Sequence, residues 1–452
     1  MKKYLFEVSW EVGNKVGGIH TVITSKAVAA MAAFGDNYYL LGPLLDNGEQ
    51  LVEGGDPAFA AIGRALDERG IAHRIGRLPD LEQAKVLLVG FKDRFDVDKL
   101  FYSYWQQFGV DSIAGGWDYI EPVLFSTACG QAIEAIFQDT IAEQGTVVAH
   151  FHEWMCGGGL LHVKKAVPEI GTIFTTHATV LGRSMAGAGR DIYARKFEID
   201  PAEEARTRGV SAKHSMEVAC AREADCFTTV SEVTADEAER MLGVRPAVVV
   251  CNGFDLKAAG DLAEVRVRAR QTRSRLLGLA GNFLGRELHD ETRLWITSGR
   301  YEFHNKGFDV FLEALARLDG RLRQTPDAPP VVAWFQLAAG NAGIDDDVQQ
   351  RMLEHASPLL GGSRIATHRL HDEGHDPVVG ACQRLGLRNG PDNRVLVILT
   401  SAYLDGRDGL LDLPYYDVLA AADLGVFPSF YEPWGYTPLE AIALGVPAVT
   451  TD

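Results

Sequence analysis

The chain has 452 residues, enough for two or three domains with ample core. Its formal net charge of −17 argues against a general nucleic-acid or anionic-membrane binder, so an anionic substrate must meet a local basic cluster. The 6 cysteines show neither a CxxC pair nor metal-ligand spacing, which points to buried thiols in a reducing cytoplasm, and no stretch reaches the roughly 18 apolar residues of a membrane span. Met1-Lys2-Lys3 resembles a signal n-region, but Glu7 breaks the apolar run behind it and no cleavage site follows.

Tyr4 to Val8 reads as a short apolar strand, Trp10 to Gly18 as a loop, and Ile19 to Phe34 as a helix stopped by Gly35. Strand, glycine loop and helix make the ligand approach of doubly wound sheets. Gly17 and Gly18 allow a ligand close to backbone N–H groups, and Lys15 adds a charge at the loop tip, although the spacing is not GxGxxG. Tyr38 to Leu41 and Val86 to Phe91 read as strands, residues 45–82 as polar and turn-rich, and Glu121 to Thr140 as a helix. The strand Thr146 to Phe151 delivers His152, Glu153 and Trp154 at its C-terminal end, where open parallel sheets bind ligands. His150 and His152 are assigned to alternate faces of that strand, so no metal-ligand cluster is expected. Gly157-Gly158-Gly159 puts the start of the next helix in doubt. Gly171 to Thr176 is a strand that delivers His177, with Arg183 on a glycine-flanked loop. Pro201 to Cys226 reads as helical, Phe227 to Val230 as a strand, Ser231 to Leu242 as a capped helix, and Ala247 to Cys251 as a strand closed by Asn252-Gly253.

Leu256 to Arg286 breaks the alternation and reads as one or two helices between the two halves. Arg293 to Ser298 opens the second half as a strand, and the loop Gly299 to Gly307 precedes a helix with Phe308, Phe311, Leu315 and Leu318 on one face. Arg300 and Lys306 leave the C-terminal end of that strand, where two fixed cations near helix N-termini make a diphosphate clamp. Val331 to Leu337 and Arg394 to Thr400 are further strands, with residues 340–373 mostly polar and helical between them. After the buried run Leu424 to Phe427, Pro428 to Tyr436 reads as a loop. Thr437, Pro438 and Glu440 then spell a helix start: N-cap, first-turn proline and capping-box glutamate. Glu432 sits on the loop and Glu440 in the first helical turn. Ala448 to Thr451 is the last strand. Both halves alternate strand and helix, so the fold class is α/β with two doubly wound domains: residues 1–255, a helical linker 256–290, and 291–452.

The stretch Tyr431-Glu432-Pro433-Trp434-Gly435-Tyr436-Thr437-Pro438, with Glu440, resembles the paired-glutamate motif of the animal and fungal type of glycogen synthase. Other strings resemble that family in the same order. They are Trp10-Glu11-Val12 with Asn14 to Ile19, Phe151-His152-Glu153-Trp154, Thr175 to Thr179 with Leu181-Gly182-Arg183, and Gly299 to Phe303 with Asn305-Lys306-Gly307. The resemblance spans nearly the whole chain and implies a retaining glucosyltransferase of GT-B architecture, two Rossmann-like domains facing across a cleft. It implies transfer of glucose from UDP-glucose, favoured over ADP-glucose, to the 4-hydroxyl of an α-1,4-glucan, with no metal and no further cofactor. His177 then lies against the donor glucose and Arg183 reaches toward donor phosphate or acceptor. Arg300 and Lys306 hold the diphosphate, Glu432 the glucose hydroxyls and Glu440 the ribose. Tyr403 and Tyr415 sandwich the base. Lys15, Gly17, Gly18, Glu153, Asn252, Trp434, Gly435 and Tyr436 complete the substrate-binding set. The family's helical insertion joins subunits, which implies a homo-oligomer. Its remaining C-terminal elements are expected beyond Asp452, leaving the second domain incomplete. Two alternatives stand beside this reading: another GT-B transferase of sucrose- or trehalose-synthase type, and a non-catalytic nucleotide-sugar or glucan-binding module. A retaining glycosidase is set aside because Glu432 and Glu440 serve one loop–helix turn and do not pair across a sugar.

Overall fold

A computed structural model of the chain describes residues 2–14, 16–45, 51–52, 57–78, 81, 84–142, 144–193, 199–256, 260–325, 327–354 and 364–451. The chain divides into two compact units, Met1–Phe254 and Asp255–Asp452. Among the described residues, no helix is long and apolar enough to cross a membrane.

The first unit is built on β1 (Lys2–Val8), β2 (Tyr38–Pro43), β3 (His73–Gly76), β4 (Lys85–Val89), β5 (Gly145–His152), β6 (Gly171–Thr176), β7 (Cys226–Thr229) and β8 (Val248–Val249). They form one sheet in the order β3-β4-β2-β1-β5-β6-β7-β8, parallel except for β3 against β4. β2 and β4 are buried along their whole length, as expected of parallel strands covered on both faces. The chain runs from β1 outward through β2 to β4, then returns to lay β5 on the other side of β1. That reversal puts a topological switch point between β1 and β5, the crevice where doubly wound sheets take ligands.

Several local expectations change. Residues 45–82 contain the helix Pro57–Asp67 and the edge strand β3. The stretch read as one helix from Pro201 is two, Pro201–Thr207 and Ser211–Glu223, because Gly209 turns the chain at φ 68° between them. The triple glycine does not weaken its helix: Gly157–Ala166 forms and lies close against Trp117–Ile136. A Cβ on Gly159 would stand 2.4 Å from the Ser126 carbonyl oxygen, and one on Gly158 would stand 2.4 Å from Thr127 Oγ1. The small residues therefore serve backbone-to-backbone approach. Of the cysteines, Cys129, Cys156, Cys220 and Cys382 are buried, Cys226 is half-buried and Cys251 is exposed.

The second unit carries β9 (Arg293–Arg300), β10 (Val331–Ala338), β11 (Asn341–Ile344), β12 (His368–Leu370), β13 (Val395–Thr400), β14 (Leu424–Phe427) and β15 (Ala448–Thr450). Its parallel sheet runs β13-β10-β9-β14-β15, so a second switch point lies between β9 and β14. β11 and β12 pair antiparallel on either side of the helix Asp346–Glu354, so among the described residues of 340–373 the helical reading holds for that segment and the flanking strands correct it. The helix Phe308–Leu322 buries Phe308, Phe311, Leu312 and Leu315 against β10 and β13, the face its sequence spacing implies. The charged helix Leu262–Leu284 starts on an Asp261 cap and stops at Gly285 in a left-handed turn. Arg273 ties it to this unit, reaching Asp423 at 3.0 Å and the Thr292 carbonyl at 2.7 Å.

Candidate active site

In the first unit, a chain of polar side chains joins the C-terminal ends of the strands flanking the switch point. Glu7, near the end of β1, is fully buried. One of its carboxylate oxygens accepts from Tyr38 OH at 2.6 Å, and the other accepts from His152 Nε2 at 2.7 Å and pairs with the Lys26 ammonium. His152 Nδ1 lies 3.0 Å from His177 Nε2, and His150 bridges Lys26 Nζ at 3.3 Å and Thr175 Oγ1 at 2.7 Å. The two imidazoles of β5 lie side by side with centroids 4.1 Å apart. This corrects the expectation of alternate faces, because side chains of a strand repeat every two residues and 150 and 152 share a face.

The protonation pattern follows from the partners. Burial pushes the Glu7 carboxyl up, but the Lys26 charge and the His152 hydrogen bond together hold it well below the usual carboxylate range. Burial lowers His150, His152 and His177, so all three rings are neutral near pH 7. An ionised carboxylate only accepts, so His152 carries its proton on Nε2 and leaves Nδ1 bare. His177 Nε2 must therefore donate to that Nδ1, and His177 Nδ1 is left as an acceptor. Glu7, His150 and His152 bring three potential metal-ligand atoms within 4.8 Å of one another. They are a poor match for a cation, since the Lys26 ammonium already occupies the carboxylate and would repel a metal.

Buried acids hold the turn that bears His177 and the start of the helix Val180–Gly187, which carries Arg183 where the sequence suggested a loop. Glu153 accepts from the His177 backbone N–H at 2.8 Å and has an unusual φ of 66° for a non-glycine residue. Glu217, pushed up to about 8 by burial and next by the Glu153 charge, accepts from Thr176 OH and the Val180 N–H. Glu237 accepts from the Thr179 N–H and hydroxyl. Arg183 is half-buried and close enough for its charge to depress His177 further. On the β1 side, the Gly17 N–H and the His20 N–H both donate to Glu11, at 2.9 and 2.8 Å. Glu11 thereby fastens the start of the helix Gly18–Phe34, and the Gly17 amide is already engaged within the protein. Lys15 lies outside the described residues. Asn252 is half-buried just past β8.

In the second unit, two loops meet over the switch point. Gly307, at φ 65°, passes so close to the β14 exit that an added Cβ would stand 1.7 Å from the Pro428 carbonyl oxygen. The Tyr431 N–H donates to the Asn305 carbonyl at 3.0 Å. This stitching brings the Lys306 ammonium onto the Glu432 carboxylate, which also accepts from Ser429 Oγ at 3.2 Å. Arg300, at the end of β9, is exposed and lies 3.8 Å from Glu302. The last helix starts at Tyr436 on Gly435, whose φ is 86°, with no side-chain cap. The expected Thr437 cap is thus corrected: glycine turns the chain two residues earlier, which leaves Thr437 inside the first turn and Glu440 beyond it. Glu440 is buried and accepts from Tyr416 OH at 3.3 Å, while Tyr415 OH shares a 2.9 Å hydrogen bond with Ser298. Burial, and after it the Glu440 charge, raises the phenols of Tyr415, Tyr416 and Tyr436. Tyr403 is 77% exposed, and Trp434 is half-buried with Nε1 unpartnered among the described residues.

The structure therefore gathers Glu153, His177 and Arg183 at one strand edge, and Lys306, Glu432, Tyr415 and Glu440 at another. The reading of the sequence missed Glu7, Lys26 and Tyr38. The signal was present in Glu7, a charge inside an otherwise apolar strand.

Two sheets of this topology define the class. The catalytic domain of Starch Synthase IV from Arabidopsis thaliana, bound to ADP and acarbose, is similar over 100% of this chain and 83% of its own, with a TM-score of 0.54 and 16% identity. The α,α-trehalose 6-phosphate synthase from Burkholderia multivorans covers 100% of this chain and 82% of its own, with a TM-score of 0.52 and 13% identity. The fold is that of a GT-B glycosyltransferase. The family model described as Glycogen synthase matches residues 7–350 and 348–452. The liver glycogen [starch] synthase of Rattus norvegicus is 34% identical over 505 residues, covering 99% of this chain and 71% of that protein. The glycogen [starch] synthase of Neurospora crassa is 30% identical over 509 residues, covering 99% and 72%. The chain belongs to the glycogen synthase family and is a glucosyltransferase.

Proposed function

We propose that the protein transfers glucose from UDP-glucose to the non-reducing 4-hydroxyl of an α-1,4-glucan, with retention of configuration. The observation that carries this reading is the junction of Lys306 with Glu432 over the β9–β14 switch point, in a chain that matches the family from residue 7 to 452. As the bond from C1 to the diphosphate oxygen breaks, negative charge grows on the leaving group. A cation held in place beforehand stabilises that charge by several kcal/mol without reorganisation. Lys306 and Arg300 fill this role. Lys306 is set by Glu432, which turns its remaining acceptor capacity to glucose hydroxyls. The acceptor hydroxyl attacks C1 on the face the diphosphate leaves and gives its proton to the departing phosphate oxygen, so no side-chain nucleophile is required.

Glu440 accepts from the ribose, and Tyr403 and Tyr415 flank the base. Trp434, Gly435 and Tyr436 shape the loop around the donor. On the first unit, neutral His177 accepts a sugar hydroxyl through Nδ1, and Arg183 serves phosphate or acceptor. Glu153 positions His177 through its backbone. Gly17, Gly18 and Asn252 line the approach, and Lys15 contributes its charge to substrate binding. The reaction requires no metal and no cofactor beyond the donor. The enzyme works in the cytoplasm as a homo-oligomer, with Leu262–Leu284 as the joining element. A donor screen tests the reading: radiolabelled UDP-, ADP- and GDP-glucose are incubated with glycogen. Label should enter polymer from UDP-glucose first. Transfer only to fructose or to a glucose phosphate would replace this assignment with a sucrose- or trehalose-type synthase.

A further inference from the structure

Gln336 sits near the C-terminal end of β10 and is 5% exposed. Neither its Oε1 nor its Nε2 has a hydrogen-bond partner among the described residues. A buried carboxamide with both ends unmatched is rare, because each atom has lost water and gained nothing in return. The register shows what lies around it. Gln336 pairs with Ser298 of β9 on one side and Thr400 of β13 on the other, and in parallel strands these three side chains share a face. Their hydroxyls are engaged: Ser298 with Tyr415 OH at 2.9 Å, and Thr400 with Trp334 Nε1 at 2.9 Å. Asn341 fastens the strand exits by donating to the Ala339 and Ser401 carbonyls at 3.0 and 2.6 Å. Next to Tyr415, the Tyr416 hydroxyl reaches Glu440. The unmatched amide is thus one strand spacing from the residue that holds Tyr415, on the unit that carries Lys306 and Glu440.

A primary amide offers one donor and one acceptor side by side, which matches the edge of a nucleobase. We propose that Gln336 holds the base of the donor nucleotide, its Oε1 accepting the uracil imide N–H and its Nε2 donating to the adjacent carbonyl oxygen. This rests on the UDP-glucose reading above. Gln336 is then a binding and specificity residue, and the fold leaves its amide unmatched so that the ligand can match it.

The test is calorimetric binding of UDP and of N3-methyl-UDP, which lacks the imide N–H, to the full chain as wild type and as Gln336→Leu. The wild type should prefer UDP by about tenfold or more, because the methyl group removes one neutral hydrogen bond and crowds the other. Gln336→Leu should lose that preference, with UDP affinity falling by the same factor. Gln336→Met keeps the volume and serves if the leucine variant does not fold. UDP affinity and preference unchanged in the variants, with a raised Tm, would overturn the proposal and mark Gln336 as an unmatched core residue. A wild type that prefers ADP would sink the donor reading. In that case a loss of ADP affinity in Gln336→Leu retains a base-holding role and an unchanged affinity removes it. A wild type that binds no nucleotide would sink both.

Discussion

Replacing Glu7 with glutamine tests the buried chain that ends on His177. The substitution keeps the volume but removes the charge that balances Lys26 and the acceptor that fixes the His152 tautomer. Breaking a buried pair from one side costs about 3–5 kcal/mol. The lower figure applies, because 34% of the Lys26 side chain remains in contact with solvent. An unfolding free energy lower by about 3 kcal/mol is therefore expected at pH 7. The effect has a defined pH window. The Glu7 pKa is depressed in the fold, so its contribution is present above the unfolded value of about 4.3 and is lost as pH falls through the folded value. Wild type and variant should converge in acid. Two-bond nitrogen–proton spectra of histidine-labelled protein should show His177 protonated on Nε2 in the wild type and altered in Glu7→Gln. Glucosyl transfer should fall in kcat more than in donor KM. A variant as stable as the wild type at pH 7, with an unchanged His177 signal, would refute the reasoning.

Lys306→Ala and Arg300→Ala should each lower turnover by orders of magnitude while thermal unfolding stays cooperative; near-normal rates in both would remove them from the site. Gly307→Ala places a Cβ 1.7 Å from the Pro428 carbonyl at a positive φ, so the two loops must separate. Activity should be lost along with roughly 1–2 kcal/mol of stability from the backbone strain alone, read by urea denaturation and transfer assay. His214 is held at about 4 by burial, below the ordinary 6.5. The unfolded chain therefore takes up a proton that the fold refuses, and stability should decline as pH drops from about 6.5 to 4, by up to about 3 kcal/mol. His214→Phe should flatten that decline in urea midpoints at pH 7.5 and 5.

Much of the sheet framework was legible because parallel strands covered on both faces are nearly continuous apolar runs. β6 and β14 begin and end where the pattern says, and the paired loops after β9 and β14 carry the residues that the motifs single out. The misses have physical causes. β3 and the β11–β12 ladder are strands of three or four residues, too short for alternation to mark them. The last helix begins two residues before the start that Thr437 suggests, because a glycine in a left-handed turn replaces the side-chain cap. His150 and His152 share a face because the side-chain period of a strand is two residues. The Glu7–Lys26 contact joins β1 to a helix 19 positions further on, a pairing that local pattern does not encode.

The backbone at Glu153, with φ 66° and ψ 164°, stands where only residues lacking a side chain move without strain. Yet the position uses a carboxylate, which grips the amide of His177. Shape and chemistry therefore pull this one residue in opposite directions. Glycine there would relax the chain and release the histidine, while alanine would keep the tension and still release it. A tolerance scan across the β5 exit should rank glycine above alanine for folding and rank neither near glutamate for turnover, separating in one column the two demands the position reconciles.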